Sequence, residues 1–146
     1  MNRTRLLIAA PPTVPVALMR RVAQSTLRSL RAPSGVFSIA FVDGPTMRGL
    51  NHRHLGHDYV TDVLSFDLRD DITAGRRRVL GEVIVAPGVA RRQARRFGQT
   101  YRRELARYVI HGLLHWAGYD DQAPAQRRRM ERKQESLLQQ LMPEPA

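Results

Sequence analysis

Apolar residues recur along this chain in two periods, and the switches between them mark out its elements. Arg5 to Ala10 is a short apolar run that reads as a first strand. From Pro15 to Leu30, residues Val16, Met19, Val22, Ala23, Leu27 and Leu30 fall at helical spacing. Pro15 suits the first helical turn, where a backbone N–H would have no intrahelical partner. Ala32-Pro33-Ser34-Gly35 is a turn. In Val36 to Val42, residues Val36, Ser38, Ala40 and Val42 alternate with Phe37, Ile39 and Phe41. Both faces of that second strand are largely apolar, which predicts a central place in a sheet. Asp43 can cap a short helix from about Pro45 to His54. Gly56-His57-Asp58 reads as an exposed loop, Thr61 to Leu68 as a third strand, and Arg69 to Arg78 as a polar, hairpin-like connection. Val79 to Val85 is a fourth strand. Pro87 to Phe97 is a helix ended by Gly98, and Thr100 caps the helix after it. Pro124 to Leu141 is a last amphipathic helix, and residues 136–146 are expected to fray.

Strands and helices are mixed without a strict βαβ alternation, and no internal repeat appears. The expected fold class is α+β. About four strands form one mixed sheet, about five helices pack on it, and residues 1–146 make a single domain. A hydrophobic content of 42% is enough for an ordinary globular core. The absence of cysteine removes disulfides and thiolate metal ligands, and fits a reducing compartment. The Leu6 to Ala10 run stops at Pro11-Pro12, too short for a signal-peptide core or a membrane span, so the expectation is a cytoplasmic protein.

Charge changes the picture more than composition does. The net charge is +11, and Lys133 is the only lysine. So strong an arginine excess points to a polyanion such as a nucleic acid, because guanidinium forks pair well with phosphates. The excess is clustered: Arg76-Arg77-Arg78, then Arg91-Arg92 with Arg95-Arg96, then Arg127-Arg128-Arg129 with Arg132-Lys133. Arg91, Arg92, Arg95 and Arg96 make one broad stripe on their helix and are the candidate nucleic-acid-binding residues, for RNA if the resemblance given below holds. The plainer alternative for each cluster is a solvated helix face.

The candidate chemistry sits in His111-Gly112-Leu113-Leu114-His115-Trp116-Ala117-Gly118-Tyr119-Asp120-Asp121. Residues four apart share one face of a helix, so His111 and His115 present two imidazoles together. Gly118 can end the helix and swing Asp121, or Asp120, back toward them. Two imidazole nitrogens and a carboxylate oxygen suit a catalytic zinc whose fourth position stays open for water. A zinc peptidase would want Glu at position 112 as general base, and this chain has Gly112. That leaves metal-assisted hydrolysis of another kind.

These residues resemble the YbeY endoribonuclease family, bacterial factors of ribosomal-RNA maturation. The family's His-Gly-x-Leu-His-x-x-Gly-Tyr-Asp-His block is similar to His111 through Asp120. Leu50-Asn51 with Thr61-Asp62-Val63-Leu64-Ser65-Phe66 resembles a second family block, and Gly81-Glu82-Val83-Ile84-Val85 resembles a third. The resemblance implies one zinc per chain and hydrolysis of single-stranded RNA, with a role at the 3′ end of small-subunit ribosomal RNA. It makes His111 and His115 the first two metal ligands and puts the third on Asp121, where the family usually has His. An anionic ligand makes the metal a weaker Lewis acid. The family's arginine, thought to face the RNA phosphate, aligns with Leu55, and Arg53 two residues away is the candidate substitute. Asp67 stands where the family has Pro. Asp62 and Asp120 are candidates for orienting a histidine ligand, with an ion pair and a turn cap as their structural alternatives. A non-catalytic ribosome-assembly factor with a structural metal is the rival reading, and a zinc peptidase a weaker one.

Overall fold

The structure, a computed structural model, describes residues 4–55, 63–69 and 78–144, without the side chains of residues 54 and 55. The elements in order are β1 (Thr4–Ala9), α1 (Val16–Ser29), β2 (Gly35–Phe41), α2 (Gly44–Leu55), β3 (Val63–Asp67), β4 (Val79–Val85), α3 (Pro87–Arg96), α4 (Tyr101–Trp116) and α5 (Pro124–Leu141). They form a single α+β domain around one sheet of order β1-β2-β4-β3. β1, β2 and β4 run parallel, and β3 pairs antiparallel with β4, so the sheet is mixed. The loop expected at 56–58, residues Thr61 and Asp62, and nearly all of the 69–78 connection lie outside the described residues.

β2 is central, as its apolar character predicts, but its two faces are covered unequally. Phe37, Ile39 and Phe41 are buried, while Val36, Ser38 and Ala40 are only half-buried. The first face meets α1 and α4 in the main core, where Met19, Ala23, Leu105, Val109, Leu113 and Leu138 join. The second carries a smaller cluster in which Met47 of α2 packs with Leu64, Ile84 and Ala86. Beyond that cluster the sheet stays open, and Leu7 remains 47% exposed.

α4 is the helix on which the others converge, packing against α1, α3, α5, β3 and β4. Thr100 caps it by accepting the Arg103 N–H. Burial on nearly every side explains why its apolar residues do not form a narrow stripe. Gly112 has a packing reason of its own. A Cβ there would lie 2.6 Å from Val83 Cγ1 and 2.8 Å from Val63 Cγ1, so only glycine lets α4 lie this close to the sheet. Ser65 Oγ donates to the Gly112 carbonyl at the same crossing (2.8 Å). One turn on, the Trp116 indole fills space that only Gly81 leaves open, donates to the Leu80 carbonyl (2.8 Å) and meets Phe37 edge to face. These contacts fix the end of α4 relative to β3 and β4. The segment 136–146 is helical as far as Leu141, and Met142 and Glu144 are held by the Arg103 guanidinium.

Candidate metal centre and nucleic-acid face

The last two turns of α4 carry His111 and His115 on one half-buried face, with ring centroids 5.0 Å apart and planes at 74°. The helix then stops. The Gly118 and Tyr119 N–H groups bond back to the His115 and Leu114 carbonyls, and Gly118 takes φ +106°, a backbone state that L residues with side chains adopt poorly. This reversal brings Asp121 Oδ2 to 3.4 Å from His115 Nε2. Arg127 of α5 holds the returning loop by donating to the Asp121 carbonyl (3.1 Å). One ligand atom from each of His111, His115 and Asp121 lies within 4.8 Å of the others. Of the two neighbouring aspartates, Asp121 is the one brought to the imidazoles. Asp120 is exposed, and its Oδ1 accepts the Gln122 N–H, closing the turn.

Two imidazoles and one carboxylate form a donor set that fits a borderline divalent cation such as zinc. A further contact supports that fit. His111 Nδ1 lies 2.7 Å from Gln134 Oε1 on α5, which leaves Nε2 as the nitrogen available to a metal. Sequence reasoning missed Gln134. The signal was present, because it is the polar residue on the buried stripe of α5 that otherwise holds Met130, Leu137 and Leu138.

Beside the histidine pair, the edge strand β3 and the end of α4 bound a cleft of about 290 Å³ lined by Val63 to Asp67, His115 and Trp116. Arg69 borders the same region. It grips Asp67 with two hydrogen bonds (2.6 and 2.9 Å), lies 4.6 Å over the Trp116 ring and donates to the Trp116 carbonyl. Hydrogen bonds from Arg69 hold the Asp67 carboxyl below its usual value, against a slight opposing effect of burial. Asp67 thus has a local partner that the sequence did not announce.

Arg53 is exposed on α2, and Asp62 lies outside the described residues. Arg91, Arg92, Arg95 and Arg96 are all exposed on α3. Between Glu82 and Glu104 the chain carries six arginines and no acidic residue, and the four on α3 all face solvent. Aromatic rings lie among them: Arg91 over Tyr101 at 4.7 Å and Arg96 over Phe97 at 5.3 Å. Phe97 is 63% exposed, and its place in a basic patch went unread in the sequence.

The sequence profile of the endoribonuclease YbeY family matches residues 13–142. The chain belongs to the endoribonuclease YbeY family. It is 41% identical over 113 residues to an endoribonuclease YbeY of Salinibacter ruber, covering 75% of this chain and 72% of that one. To an endoribonuclease YbeY of Pelotomaculum thermopropionicum it is 37% identical over 128 residues, 85% of this chain and 84% of the relative. The solution structure of TM1509 from Thermotoga maritima is similar in fold, with a TM-score of 0.63 and 26% identity over 94% of this chain and 88% of that chain. YbeY membership bears out the family resemblance, and with it an RNA-cleaving hydrolase. Among the described residues no helix is long and apolar enough to cross a membrane.

Proposed function

We propose that this YbeY-family chain is a zinc-dependent, single-strand-specific endoribonuclease. Its proposed roles are ribosomal-RNA processing, including maturation of the 3′ end of small-subunit ribosomal RNA, and ribosome quality control. The proposed partners are RNA and the small ribosomal subunit, in the cytoplasm. The observation that carries the reading is the meeting of His111, His115 and Asp121 beside an open cleft.

Bound zinc, one per chain, would supply Lewis acidity toward a phosphoryl oxygen and lower the pKa of its water. His111, His115 and Asp121 would hold it. The cleft between β3 and α4 would receive the strand to be cut, with His115 on its wall. Arg53 would neutralise charge on the phosphate in the transition state, and Asp62 would orient a group beside the histidines, while Asp120 closes the turn that carries Asp121. Arg91, Arg92, Arg95 and Arg96 would track flanking phosphates, and the exposed Phe97 ring would stack an unpaired base, which favours single strands.

One observation favours a second reading, a non-catalytic assembly factor: Leu55 stands where an arginine is expected. A peptidase is disfavoured because a glutamate at position 112 would collide with Val63 and Val83. The deciding experiment is single-turnover cleavage of a short single-stranded RNA by zinc-replete wild type, His115→Ala, Arg53→Ala and Leu55→Arg, with zinc content measured in each. Weak wild-type cleavage, lost in His115→Ala together with the zinc, is the expected result. Leu55→Arg should raise the rate by up to about 100-fold, the usual worth of one transition-state contact. A collapse in Arg53→Ala with no gain in Leu55→Arg makes Arg53 the phosphate clamp. No cleavage by any variant with zinc bound overturns the nuclease reading in favour of the assembly factor.

A further inference from the structure

The Gln134 amide can be oriented from its surroundings. Its Nε2 lies 3.0 Å from Glu135 Oε2. A carboxylate only accepts, so the NH2 end of the amide faces Glu135 and the carbonyl end faces His111. That carbonyl, also an acceptor, is 2.7 Å from His111 Nδ1. The proton between them therefore belongs to Nδ1, and in the neutral imidazole Nε2 carries the free lone pair.

The carboxylate that sets this orientation is itself held. Arg107 donates to Glu135 through Nε (2.9 Å) and Nη2 (3.0 Å), and through Nη1 to Glu104. Glu104 and Gln134 are both buried (6% and 9% exposed), so the inner part of the chain is shielded from water that would otherwise let the amide turn over. The relay joins two helices, running from Glu104 and Arg107 on α4 to Glu135 and Gln134 on α5 and back to His111 on α4.

We propose that Gln134 is a positioning residue that locks His111 in the Nδ1–H tautomer, and that the Glu104–Arg107–Glu135 relay sets the direction of the Gln134 amide. The consequence is a His111 Nε2 pre-organised to bind a metal through its lone pair before any metal arrives. A metal-ligating histidine that donates its other N–H to a fixed acceptor holds the ring orientation and gains basicity, and loss of such an acceptor typically weakens metal binding about 10- to 100-fold. This rests on the metal reading of the site for its purpose, but its structural content, the tautomer, does not need a metal.

The test has two arms. Long-range proton–nitrogen spectra of the metal-free full-length protein report which imidazole nitrogen carries the proton, with His111 assigned by its absence in His111→Ala. The expected wild-type result is Nδ1 protonated. In Gln134→Leu the Nε2–H tautomer should appear. Zinc affinity, by competition with a chromophoric chelator, should fall about 10- to 100-fold in Gln134→Leu. Glu135→Leu removes the acceptor that holds the Gln134 NH2 end, so it should give a mixed tautomer and a smaller affinity loss. It lies on a half-exposed site, so it serves if Gln134→Leu fails to fold. A wild-type Nε2–H tautomer overturns the proposal, as does a Gln134→Leu protein with unchanged tautomer and affinity. If Gln134→Leu does not fold, an unaltered tautomer in Glu135→Leu overturns it. If wild type binds no zinc while His111 keeps Nδ1–H, the lock stands and the zinc-dependent function fails.

Discussion

The arginines of α3 and those facing α5 from α4 carry the same charge in opposite surroundings. Arg103, with a side chain 10% exposed, spends its guanidinium on Glu144, Gln139, Gln99 and the Met142 carbonyl. Arg107 is shared between Glu104 and Glu135. On α3, by contrast, Arg91, Arg92, Arg95 and Arg96 are exposed, and among the described residues none of them pairs with a carboxylate. The net charge of +11 is therefore not a uniform coat. Where acids meet arginines the charge is consumed in joining helices, and where acids are missing it is left as a field available to phosphate. One kind of arginine joins helices and stands behind His111, and the other is the kind proposed to bind RNA.

The largest expected effect comes from breaking the first kind. Arg107→Ala leaves Glu104 as a buried carboxylate without this partner and should cost about 3 kcal/mol of stability, while Arg92→Ala should change it by less than about 0.5 kcal/mol. Thermal unfolding of the two variants against wild type measures the contrast, and equal shifts would erase it.

A middle-sized effect falls on the second kind. Replacing Arg92 and Arg96 together with Ala should leave the melting temperature in place and lower the slope of log affinity against log salt, for single-stranded RNA, by about 1.4, the value for two lost phosphate contacts. An unchanged slope reduces the stripe to a solvated face.

The smallest effect is one of pH. Burial pushes the Glu135 carboxyl up, but hydrogen bonds from Arg107 and Gln134 and the charges of Arg107 and Arg103 together hold it below its usual value. A depressed folded value stabilises the protein above the ordinary glutamate range, and that gain is lost as pH falls through the folded value. Melting curves from neutral to acid pH should show wild type above Glu135→Gln at neutrality, with the gap closing on acidification. The half-exposed carboxylate keeps this difference modest.

Much of the candidate site was readable one helix at a time. The spacing of His111 and His115, the break at Gly118 and the cap at Thr100 are local facts, and each has its expected local geometry here. The choice between Asp120 and Asp121 was not local in the same way. Both follow the glycine, and the winner depends on how the reversed chain is held, with Arg127 on the Asp121 carbonyl and the Gln122 N–H on the Asp120 carboxylate. Asp67 was noticed only as a departure from the family block. Its grip on Arg69, which in turn covers Trp116 at the end of α4, depends on where β3 and α4 meet.

What the sequence by itself determined was the succession of strands and helices, the α+β class, the helical histidine pair and the clustering of positive charge. Those follow from periodicity, capping and composition, which act over about four residues and need no knowledge of the rest of the chain. What only the tertiary structure decided was which long-range neighbours those elements acquire. Gln134 reaches His111 from 23 residues away, and Gly112 is glycine because Val63 and Val83 press against it. Which arginines face acids across α4 and α5, and which face solvent on α3, was settled the same way. Side-chain partners at that range are selected by close packing of whole elements, where a shift of one ångström changes who touches whom, and no spacing rule along the chain encodes it.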